Sequence, residues 1–300
     1  MNPKVLVMLA TYNGEKYLKE QINSILNQKN VDVYIRASDD LSTDNTLNIL
    51  SEYKNKYSNF DFTINEKNKG FTYNFLDLIY ISNDEFDYYA FCDQDDVWLD
   101  NKLSKAIEKI QLENNKSGIL YCSNLKLVDK NLKEYGLQEK NSILNINRYC
   151  GLTSNIATGC TCVFDKKLFL KVKKYYPNSI YLHDYWIYLI AQYTGTVVYD
   201  YNSYILYRQH ENNQIGSNKK FFTKSKISNF FHPKHKTSDL LKKFLFYYEK
   251  DIYSNDLKYV KIAANYNKST INKVKLLFSI KIKRRKYNVL FKIKVLLNKF

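Results

Sequence analysis

Short runs of apolar and β-branched residues alternate with longer amphipathic stretches through the first 123 residues. The apolar runs predict five β-strands, at Lys4 to Ala10, Val31 to Ser38, Phe60 to Asn65, Phe86 to Cys92 and Gly118 to Ser123. The amphipathic stretches predict four helices, at Gly14 to Asn27, Thr43 to Tyr57 (capped by Ser42 or Thr43), Thr72 to Ser82 and Leu99 to Asn114. Strands separated by helices of this length form βαβ units, so the pattern predicts an α/β fold with a mostly parallel sheet.

Polar clusters follow four of the predicted strands. They are Thr11-Tyr12-Asn13-Gly14, Asp39 to Asp44, Asn68-Lys69-Gly70 and Asp93-Gln94-Asp95-Asp96. Ligands of parallel sheets bind outside the carboxyl ends of the strands, so we expect the four clusters to line one crevice. The sequence contains neither a Gly-x-Gly-x-x-Gly nor a Gly-x-x-x-x-Gly-Lys-Ser/Thr motif, which disfavours NAD(P)-dependent enzymes and P-loop nucleotide hydrolases.

The fourth cluster holds three carboxylates, those of Asp93, Asp95 and Asp96, between a hydrophobic run and Trp98. Like charges at a buried strand end repel one another unless a cation compensates. Mg²⁺ or Mn²⁺ prefers carboxylate oxygens and binds substrate phosphates as well. The cluster therefore predicts a divalent ion that bridges a nucleotide diphosphate. A solvated acidic turn is the alternative, and the hydrophobic flanks weigh against it.

The remaining clusters offer partners for the rest of a nucleotide. Asp40 is placed to accept a hydrogen bond from a pyrimidine N–H, and Tyr12 is placed to pack against the base. Asn68 and Lys69 are candidates for the phosphates. For each of these residues alone, a turn or cap is the more common function.

Two downstream motifs carry further candidate chemistry. Asp184 lies in His183-Asp184-Tyr185-Trp186, before an apolar helical run, and is either a helix cap or a general base that takes a proton from an acceptor hydroxyl. Tyr207-Arg208-Gln209-His210 follows a strand-like run and offers Arg208 or His210 to a phosphate or a metal ion. A single histidine is more often structural.

Taken together, these motifs resemble the family 2 glycosyltransferases, which have the GT-A fold, over about residues 3 to 215. Asp39 to Thr46 resembles the Asp-Asp-Gly-Ser-x-Asp-x-Thr element of that family, with Leu41 in place of glycine. Asp93-Gln94-Asp95 matches the Asp-x-Asp metal motif. The resemblance implies a GT-A domain at residues 1–218, with a nucleotide-binding half at about 1–123 and an acceptor-binding half at about 124–218.

The resemblance also implies a function for individual residues. Asp184 occupies the position of the catalytic base, next to His183 where glutamate is commoner in the family. The implied nucleotide contacts are Thr11, Tyr12, Asn13, Glu15, Asp40, Asn68, Lys69 and Asp93. The implied metal ligands are Asp93, Asp95 and His210. The implied contacts to the donor or acceptor sugar are Asp96, Trp98, Gly159, Cys160, His183, Trp186 and Arg208.

Within the family, the ordered set of motifs is similar to bacterial rhamnosyltransferases that build cell-wall, capsular or O-antigen polysaccharides. The set comprises Asp93 to Trp98, Thr158 to Thr161, His183 to Trp186 and Tyr207 to Asn213. It implies a dTDP-β-L-rhamnose donor, inversion to an α-linkage and a lipid-diphosphate-linked acceptor. A UDP-hexose donor is the alternative within the family. A nucleotidyltransferase and an inactive scaffold on the membrane surface are alternatives from other classes.

The net charge of +16 is concentrated in the C-terminal region. Residues 219–300 contain 22 Lys and Arg against 4 Asp and Glu, whereas the remainder is nearly neutral. Apolar residues recur among these lysines at helical spacing, which predicts a basic amphipathic helical appendage that either lies on an anionic membrane or packs on the body. No nucleic-acid-binding motif accompanies the charge, so we expect no nucleic-acid partner.

The sequence also carries expectations about location. No signal-peptide pattern and no apolar run of membrane-spanning length occurs, which predicts a cytoplasmic protein that is peripheral on the inner face of a bacterial membrane. The five cysteines show no zinc-like spacing and are expected to be reduced thiols.

Overall fold

The computed structural model describes residues 1–114, 117–139, 147, 149–210, 235–280 and 285–300. Strands and helices alternate through the first half. They are β1 (Lys4–Thr11), α1 (Leu18–Leu26), β2 (Asp32–Asp39), α2 (Thr46–Lys56), β3 (Phe60–Ile64), α3 (Phe71–Ile81), β4 (Tyr88–Cys92), β5 (Val97–Trp98), α4 (Lys102–Gln111) and β6 (Ile119–Val128). The five predicted strands and four predicted helices are confirmed, and β5 is a short additional strand.

The second half contains fewer strands and more helices. Its elements are β7 (Glu134–Leu137), α5 (Cys150–Thr153), β8 (Val163–Asp165), α6 (Lys166–Lys173), α7 (His183–Thr194), β9 (Thr196–Arg208), α8 (Thr237–Tyr248), α9 (Ser254–Ala264), α10 (Thr270–Ser279) and α11 (Arg285–Leu296). The predicted boundary of the catalytic domain at Asn218 lies outside the described residues.

Within the described residues one sheet has nine strands, in the order β3-β2-β1-β4-β8-β6-β9-β5, with β7 beside β6. Strands β1 to β4 pair in parallel with one another, and β6 pairs in parallel with β9. Strand β8 runs antiparallel between β4 and β6, and β5 runs antiparallel to β9. The mostly parallel α/β fold is therefore confirmed, and the carboxyl ends of β1 to β4 meet at one edge.

The sheet separates two hydrophobic cores, because successive side chains of a strand point to opposite faces. Val5, Val7 and Leu9 of β1 pack in the core that contains α1, α2 and α4. Leu6 and Met8 of the same strand pack in the core that contains α3, α6 and α7. Both faces of β1 are thus covered, which is why its sequence is a continuous apolar run rather than an alternating one.

Three helices begin later than predicted, and one of them is α4, which begins at Lys102 rather than at Leu99. Helix α1 begins at Leu18 rather than at Gly14. Helix α2 begins at Thr46, so neither Ser42 nor Thr43 is its cap.

Ser42 and Thr43 do not cap α2, because their polar groups form hydrogen bonds with other residues at the carboxyl edge of the sheet. The Ser42 hydroxyl donates to Asp39 Oδ2 at 2.6 Å, and the Thr43 N–H donates to Asn13 Oδ1 at 2.8 Å. The Asp44 carboxylate instead accepts from the first N–H of α2 at 3.0 Å. The loop before α2 is therefore longer than predicted, because its polar groups form these hydrogen bonds instead of beginning the helix.

The C-terminal helices pack on the body of the protein and share one of its cores. Trp186 and Tyr193 of α7 lie against Phe244 of α8, with ring centroids 6.3 and 5.9 Å apart. Ser238 at the start of α8 donates to the carbonyl of Phe300 at 2.9 Å, so the last residue is also attached. The predicted packing on the body is confirmed for the inner side of this region. Among the residues that the structure describes, no helix is long and apolar enough to cross a membrane.

Candidate active site

Hydrogen bonds join the first two polar loops at the carboxyl edge of the sheet. The Thr11 hydroxyl donates to Asp39 Oδ2 at 2.8 Å, and the Asn13 N–H donates to Ser42 Oγ at 2.8 Å. Glu15 Oε2 accepts from the N–H of the residue before α2 at 2.9 Å. Three residues that were predicted to contact the nucleotide therefore lie together. Their hydrogen bonds hold the two loops in fixed positions relative to each other. Their contact with a nucleotide stays a prediction.

Leu41, which replaces the glycine of the family element, has a left-handed backbone with φ 71°. Its side chain is 45% exposed, so it contributes little to the core. A left-handed conformation costs a non-glycine residue about 1 kcal/mol. The leucine at this position therefore strains the backbone of the loop.

We expect Leu41→Gly to raise the free energy of unfolding by about 1 kcal/mol, because glycine adopts this backbone without strain. Denaturation in urea measures the change. Leu170→Gly is the matched control, since Leu170 is 46% exposed but lies in α6, where glycine should lower stability. Destabilisation by Leu41→Gly would show that the left-handed turn is not strained.

Asp40 organises the third loop. Its Oδ1 accepts from the Lys69 N–H at 2.8 Å and from Asn65 Nδ2 at 2.9 Å, and its Oδ2 accepts from the Gly70 N–H at 2.8 Å. Gly70 has φ 75°, a conformation that favours glycine. A carboxylate offers about four acceptor positions. The predicted acceptance of a nucleobase N–H would therefore use the remaining one.

The two phosphate candidates of the third loop are exposed. The Lys69 ammonium forms an ion pair with Asp77 at 2.6 Å, which holds it along α3. Asn68 Oδ1 accepts from the N–H of Gly70 at 3.1 Å. A phosphate contact by Lys69 would require its ammonium to leave or share Asp77.

Gln94 links the fourth loop to the first, a function that was not predicted from the sequence. Its Oε1 accepts from the Tyr12 N–H at 2.8 Å and its Nε2 donates to the Tyr12 carbonyl at 2.9 Å. A Cβ on Gly14 would lie 2.3 Å from Gln94 Oε1, so glycine is needed there for this pairing. The sequence did contain a signal for this pairing. The amide of Gln94 lies between two aspartates, and an amide can both donate and accept hydrogen bonds. With this pairing, hydrogen bonds connect all four clusters.

The acidic cluster contains two groups of potential ligands. Asp93, Asp96 and Cys160 each place one ligand atom within 4.8 Å of the others. Asp95 Oδ2 lies 2.8 Å from Nε2 of His210, which comes from the end of β9. The three predicted metal ligands therefore lie in one region, and the predicted sugar contact of Cys160 is not supported because its side chain is fully buried beside Asp93 and Asp96.

Burial and mutual repulsion raise the pKa values of these carboxyls. Burial raises the pKa of Asp93 to about 7, and the charges of Asp95 and Asp184 contribute. Burial also raises the pKa of Asp96 well above its usual range, together with the charges of Asp95 and Asp93. The cluster is thus short of positive charge, which a divalent cation would supply.

The chemistry of these groups fits Mg²⁺ or Mn²⁺. The 2.8 Å between Asp95 Oδ2 and His210 Nε2 is close to the separation of about 3 Å between adjacent ligands of an octahedral ion. The thiol of Cys160 is a soft ligand whose pKa is raised well above its usual range by burial, so it suits a hard cation poorly. Asp95 and His210 are therefore one adjacent pair with the chemistry for such an ion, while Asp93 lies in the group with Asp96 and Cys160.

Arg208 is a positioning residue and not the sugar contact that was predicted. Its side chain is 2% exposed, and its Nε donates to the Asp95 carbonyl at 2.9 Å. Its Nη1 donates to the Lys130 carbonyl at 2.7 Å, and its Nη2 pairs with Glu20. The guanidinium also lies 4.3 Å from the centre of the Tyr17 ring. The arginine thus holds the backbone of Asp95, a predicted metal ligand, and the sequence did not reveal Glu20 or Tyr17 as its partners.

Asp96 is also held by the backbone of Arg208, whose N–H donates to Asp96 Oδ1 at 3.1 Å. Asp96 is fully buried. The predicted contact of Asp96 with a sugar is therefore not supported, because its carboxylate lies beneath the loop and orients the end of β9.

Asp184 lies in the first turn of α7, buried close to the acidic cluster. Its Oδ2 accepts from the Gly159 N–H at 3.1 Å and its Oδ1 from the Tyr185 N–H at 2.6 Å. Burial raises its pKa to about 6, although these hydrogen bonds oppose the change. The N-cap of α7 is Leu182, so Asp184 is not that cap. A carboxylate with such a pKa is suited to accept a proton near neutral pH.

His183 packs beneath the site. Its ring stacks on Phe75 at 4.1 Å between centroids and meets Phe91 edge-on at 4.9 Å. Burial lowers its pKa to about 3, so the imidazole is neutral. A Cβ on Gly159 would lie 2.9 Å from His183 Nε2, so the glycine allows the loop to approach the ring. His183 and Gly159 thus support Asp184, and the predicted sugar contact of His183 is not supported.

Both tryptophans lie in the cores and not at the crevice, contrary to their predicted sugar contacts. Trp98 is 3% exposed, and the Lys102 ammonium lies 3.4 Å from the centre of its ring. Burial lowers the pKa of Lys102 to about 8. Trp186 is fully buried beneath Phe244 of the C-terminal region. Large apolar rings gain more from these cores than from an exposed site.

Sequence comparison finds glycosyltransferases among the relatives of the chain. The chain is 36% identical over 231 residues to the "dTDP-rhamnosyl transferase RfbG" of Shigella flexneri, which covers 73% of this chain and 77% of that protein. It is 34% identical over 196 residues to an uncharacterized glycosyltransferase of Methanocaldococcus jannaschii, covering 63% of this chain and 65% of that protein.

Solved structures share the fold. S. aureus TarS 1–349 in complex with UDP has a TM-score of 0.58 at 18% identity, with 94% of this chain and 77% of that chain covered. The mannosyltransferase PcManGT of Pyrobaculum calidifontis, in complex with GDP-Man and Mn²⁺, has a TM-score of 0.53 at 11% identity, with 100% and 89% covered. Residues 6–172, more than half of the chain and including the four connected loops, match the family "Glycosyl transferase family 2". The chain therefore belongs to glycosyl transferase family 2, and it is a glycosyltransferase with a GT-A fold.

Proposed function

We propose that this glycosyltransferase transfers L-rhamnose from dTDP-β-L-rhamnose, with inversion, to a lipid-linked saccharide of a growing bacterial cell-surface polysaccharide. The observation that carries the donor is the 36% identity to the dTDP-rhamnosyl transferase RfbG over 73% of this chain. The acidic crevice supports the general reaction, since it combines a site for a cation with a separate buried carboxylate. A UDP-hexose is the second candidate donor.

In the proposed mechanism, one group of residues binds the metal ion and a separate carboxylate accepts the proton. Asp93, Asp95 and His210 would hold a divalent ion, which when bound neutralises the leaving diphosphate. Asp184 takes the proton of the acceptor hydroxyl as that oxygen attacks the anomeric carbon, and the dTDP leaves from the opposite side. Its pKa of about 6 keeps it mostly ionised at neutral pH. Attack from the side opposite the leaving group inverts the anomeric carbon.

The loops at the carboxyl ends of β1 to β3 are the proposed nucleotide site. Asp40 accepts from the thymine N–H through its remaining acceptor position, and Tyr12, whose side chain is 43% exposed, packs on the base. Gln94 holds the backbone of Tyr12 by hydrogen bonds to both its N–H and its carbonyl. This pairing connects the site of the base with the site of the diphosphate.

A lipid-linked acceptor places the proposed reaction at the inner face of the cell membrane. The acceptor of such a polysaccharide carries a diphosphate and a lipid, so the enzyme meets it at a charged bilayer surface. The basic C-terminal region, with 22 Lys and Arg against 4 Asp and Glu, supports association with that surface.

Thermal denaturation with nucleotide sugars tests the donor. We expect dTDP-rhamnose with Mn²⁺ to raise the midpoint temperature more than UDP-glucose or UDP-N-acetylglucosamine, because a ligand that binds only the folded state stabilises it. At about 100 times the dissociation constant the gain is about 2.7 kcal/mol. The same series with EDTA isolates the contribution of the ion.

The thermal shifts distinguish the candidate donors from one another. A larger shift with a UDP-sugar would replace the proposed donor by that sugar. The absence of a shift with every nucleotide sugar would contradict donor binding altogether. Proton NMR of the transferred product tests inversion, since an α-linked product is expected from the β-configured donor.

A further inference from the structure

The last two helices form an antiparallel pair on the surface. The Lys273 ammonium near the start of α10 donates to the Leu296 carbonyl at the end of α11 at 3.5 Å. The inner sides of both helices join the core, and their residues there are at most 5% exposed. These residues are Leu276, Ile280, Phe291 and Val295. The pair is therefore attached to the body through one apolar side.

The outer sides of the same helices are apolar as well. We name as the outer apolar face Ile271, Val274 and Phe278 of α10 together with Val289, Ile293 and Leu296 of α11. Their exposed fractions range from 37% to 77%. Spacings of i, i+3, i+7 and i, i+4, i+7 place each trio on one side of its helix. A monomeric protein rarely exposes large apolar side chains in such a group, so the face indicates a contact surface.

The charged side chains of the segment that carries this face are all positive. The chain has no Asp or Glu after Asp256, but it has 13 Lys and Arg between Lys258 and Lys299. Lys275 of α10 and Lys292 of α11 are exposed on the helices that carry the face. Apolar side chains with surrounding lysines match the acyl boundary and the anionic headgroups of a bilayer.

We propose that the outer apolar face docks in the headgroup region of an anionic lipid bilayer. Its apolar side chains then reach the acyl boundary while the lysines contact lipid phosphates. A second copy of the chain fits less well, because a symmetric pairing would bring two basic surfaces together without acidic partners. This inference deepens the proposed function by naming the surface that approaches the membrane, and it rests on that function for the lipid-linked nature of the acceptor.

Sedimentation of the full-length protein with vesicles tests the proposal. The vesicles contain equal amounts of phosphatidylglycerol and phosphatidylcholine, and vesicles of phosphatidylcholine alone serve as the uncharged comparison. We expect Phe278→Glu/Ile293→Glu to lower the partition coefficient at least about tenfold, because both apolar contacts are lost and two negative charges are added. Higher salt should also weaken binding of the unsubstituted protein.

Leu112→Glu is the matched control, since Leu112 is 74% exposed but lies after α4, outside the outer apolar face. We expect it to bind vesicles like the unsubstituted protein. Equal vesicle binding by the double variant would overturn the proposal. It would also be overturned if the protein formed dimers without lipid and the double variant abolished them. Donor-induced thermal stabilisation of the double variant should be unchanged, so failure of vesicle binding is distinguishable from failure of the proposed function.

Discussion

Asp184→Asn is expected to lower kcat by about 10³-fold, because the amide cannot take the proton of the acceptor hydroxyl. Asparagine has nearly the same size and can keep the hydrogen bond from the Gly159 N–H, so the fold and donor binding should remain. Initial rates of dTDP release in the presence of acceptor measure kcat. Thermal stabilisation by donor and Mn²⁺ provides the separate measure of binding.

The pH profile gives this prediction a second readout. The pKa of Asp184 is raised to about 6 by burial, so the carboxyl becomes protonated, and unable to act as a base, as the pH falls below that value. The rate of the unsubstituted enzyme should therefore decrease toward acidic pH, and that decrease should be absent from the residual activity of Asp184→Asn.

Asp200→Asn is the matched control for Asp184→Asn. Asp200 is also a buried aspartate, 7% exposed, but it lies on β9 and accepts from the Tyr121 hydroxyl at 3.3 Å. We expect kcat to stay within a few-fold of the unsubstituted value. Full transfer activity in Asp184→Asn would show that another group is the base.

Asp93→Asn is expected to lower the Mn²⁺-dependent rate at least about 100-fold while stabilising the metal-free protein. The loss of rate follows from the weaker hold on the ion, which contributes several kcal/mol of charge stabilisation. The gain in stability follows from the removal of a half-buried carboxylate that has other carboxylates as neighbours. Activity titrations with Mn²⁺ and denaturation in EDTA measure the two effects.

The stability difference should depend on pH with a defined sign. The pKa of Asp93 is about 7 in the folded chain, raised by burial from its ordinary value of 3.8. Between these values the folded chain binds more protons than the unfolded chain, so the stability of the metal-free protein falls as pH rises from about 4 to 7. Asp93→Asn should lose less stability over this range, and the two proteins should converge toward pH 4.

Asp100→Asn serves as the control for Asp93→Asn, because Asp100 is exposed and pairs with the exposed Lys29. It should change neither the metal dependence nor the pH profile of stability. If Asp93→Asn were less stable than the unsubstituted protein at pH 7 in EDTA, the cluster would not be short of positive charge. The metal assignment would then lose its physical basis.

The sequence determined the order of the strands and helices in the first half and the residues that follow each strand. Both depend on local patterns: apolar runs with intervening amphipathic helices require a parallel sheet, and parallel strands bring their carboxyl ends to one edge. Asp93, Asp95 and Asp184 were predicted as site residues for the same reason, since carboxylates beside apolar runs stand out without knowledge of their neighbours.

The burial of individual side chains was decided only by the tertiary structure. Arg208 pairs with Glu20, 188 positions away in the chain, and no local pattern distinguishes this buried arginine from one that binds a substrate. The family resemblance implied that Trp98 and Trp186 contact the sugar, whereas both rings are buried in the cores of this fold. Contacts between distant segments determine such burial, and a single sequence does not contain them explicitly.

In the C-terminal region, too, the sequence determined some properties and the tertiary structure decided others. The sequence established its charge and its helical spacing of apolar residues, but it left open whether the helices pack on the body or meet a membrane. Helices α10 and α11 carry apolar residues on opposite sides, with Leu276 buried and Phe278 77% exposed. Periodicity reports that a helix has apolar positions, but only packing decides which of two apolar sides faces the core and which remains exposed.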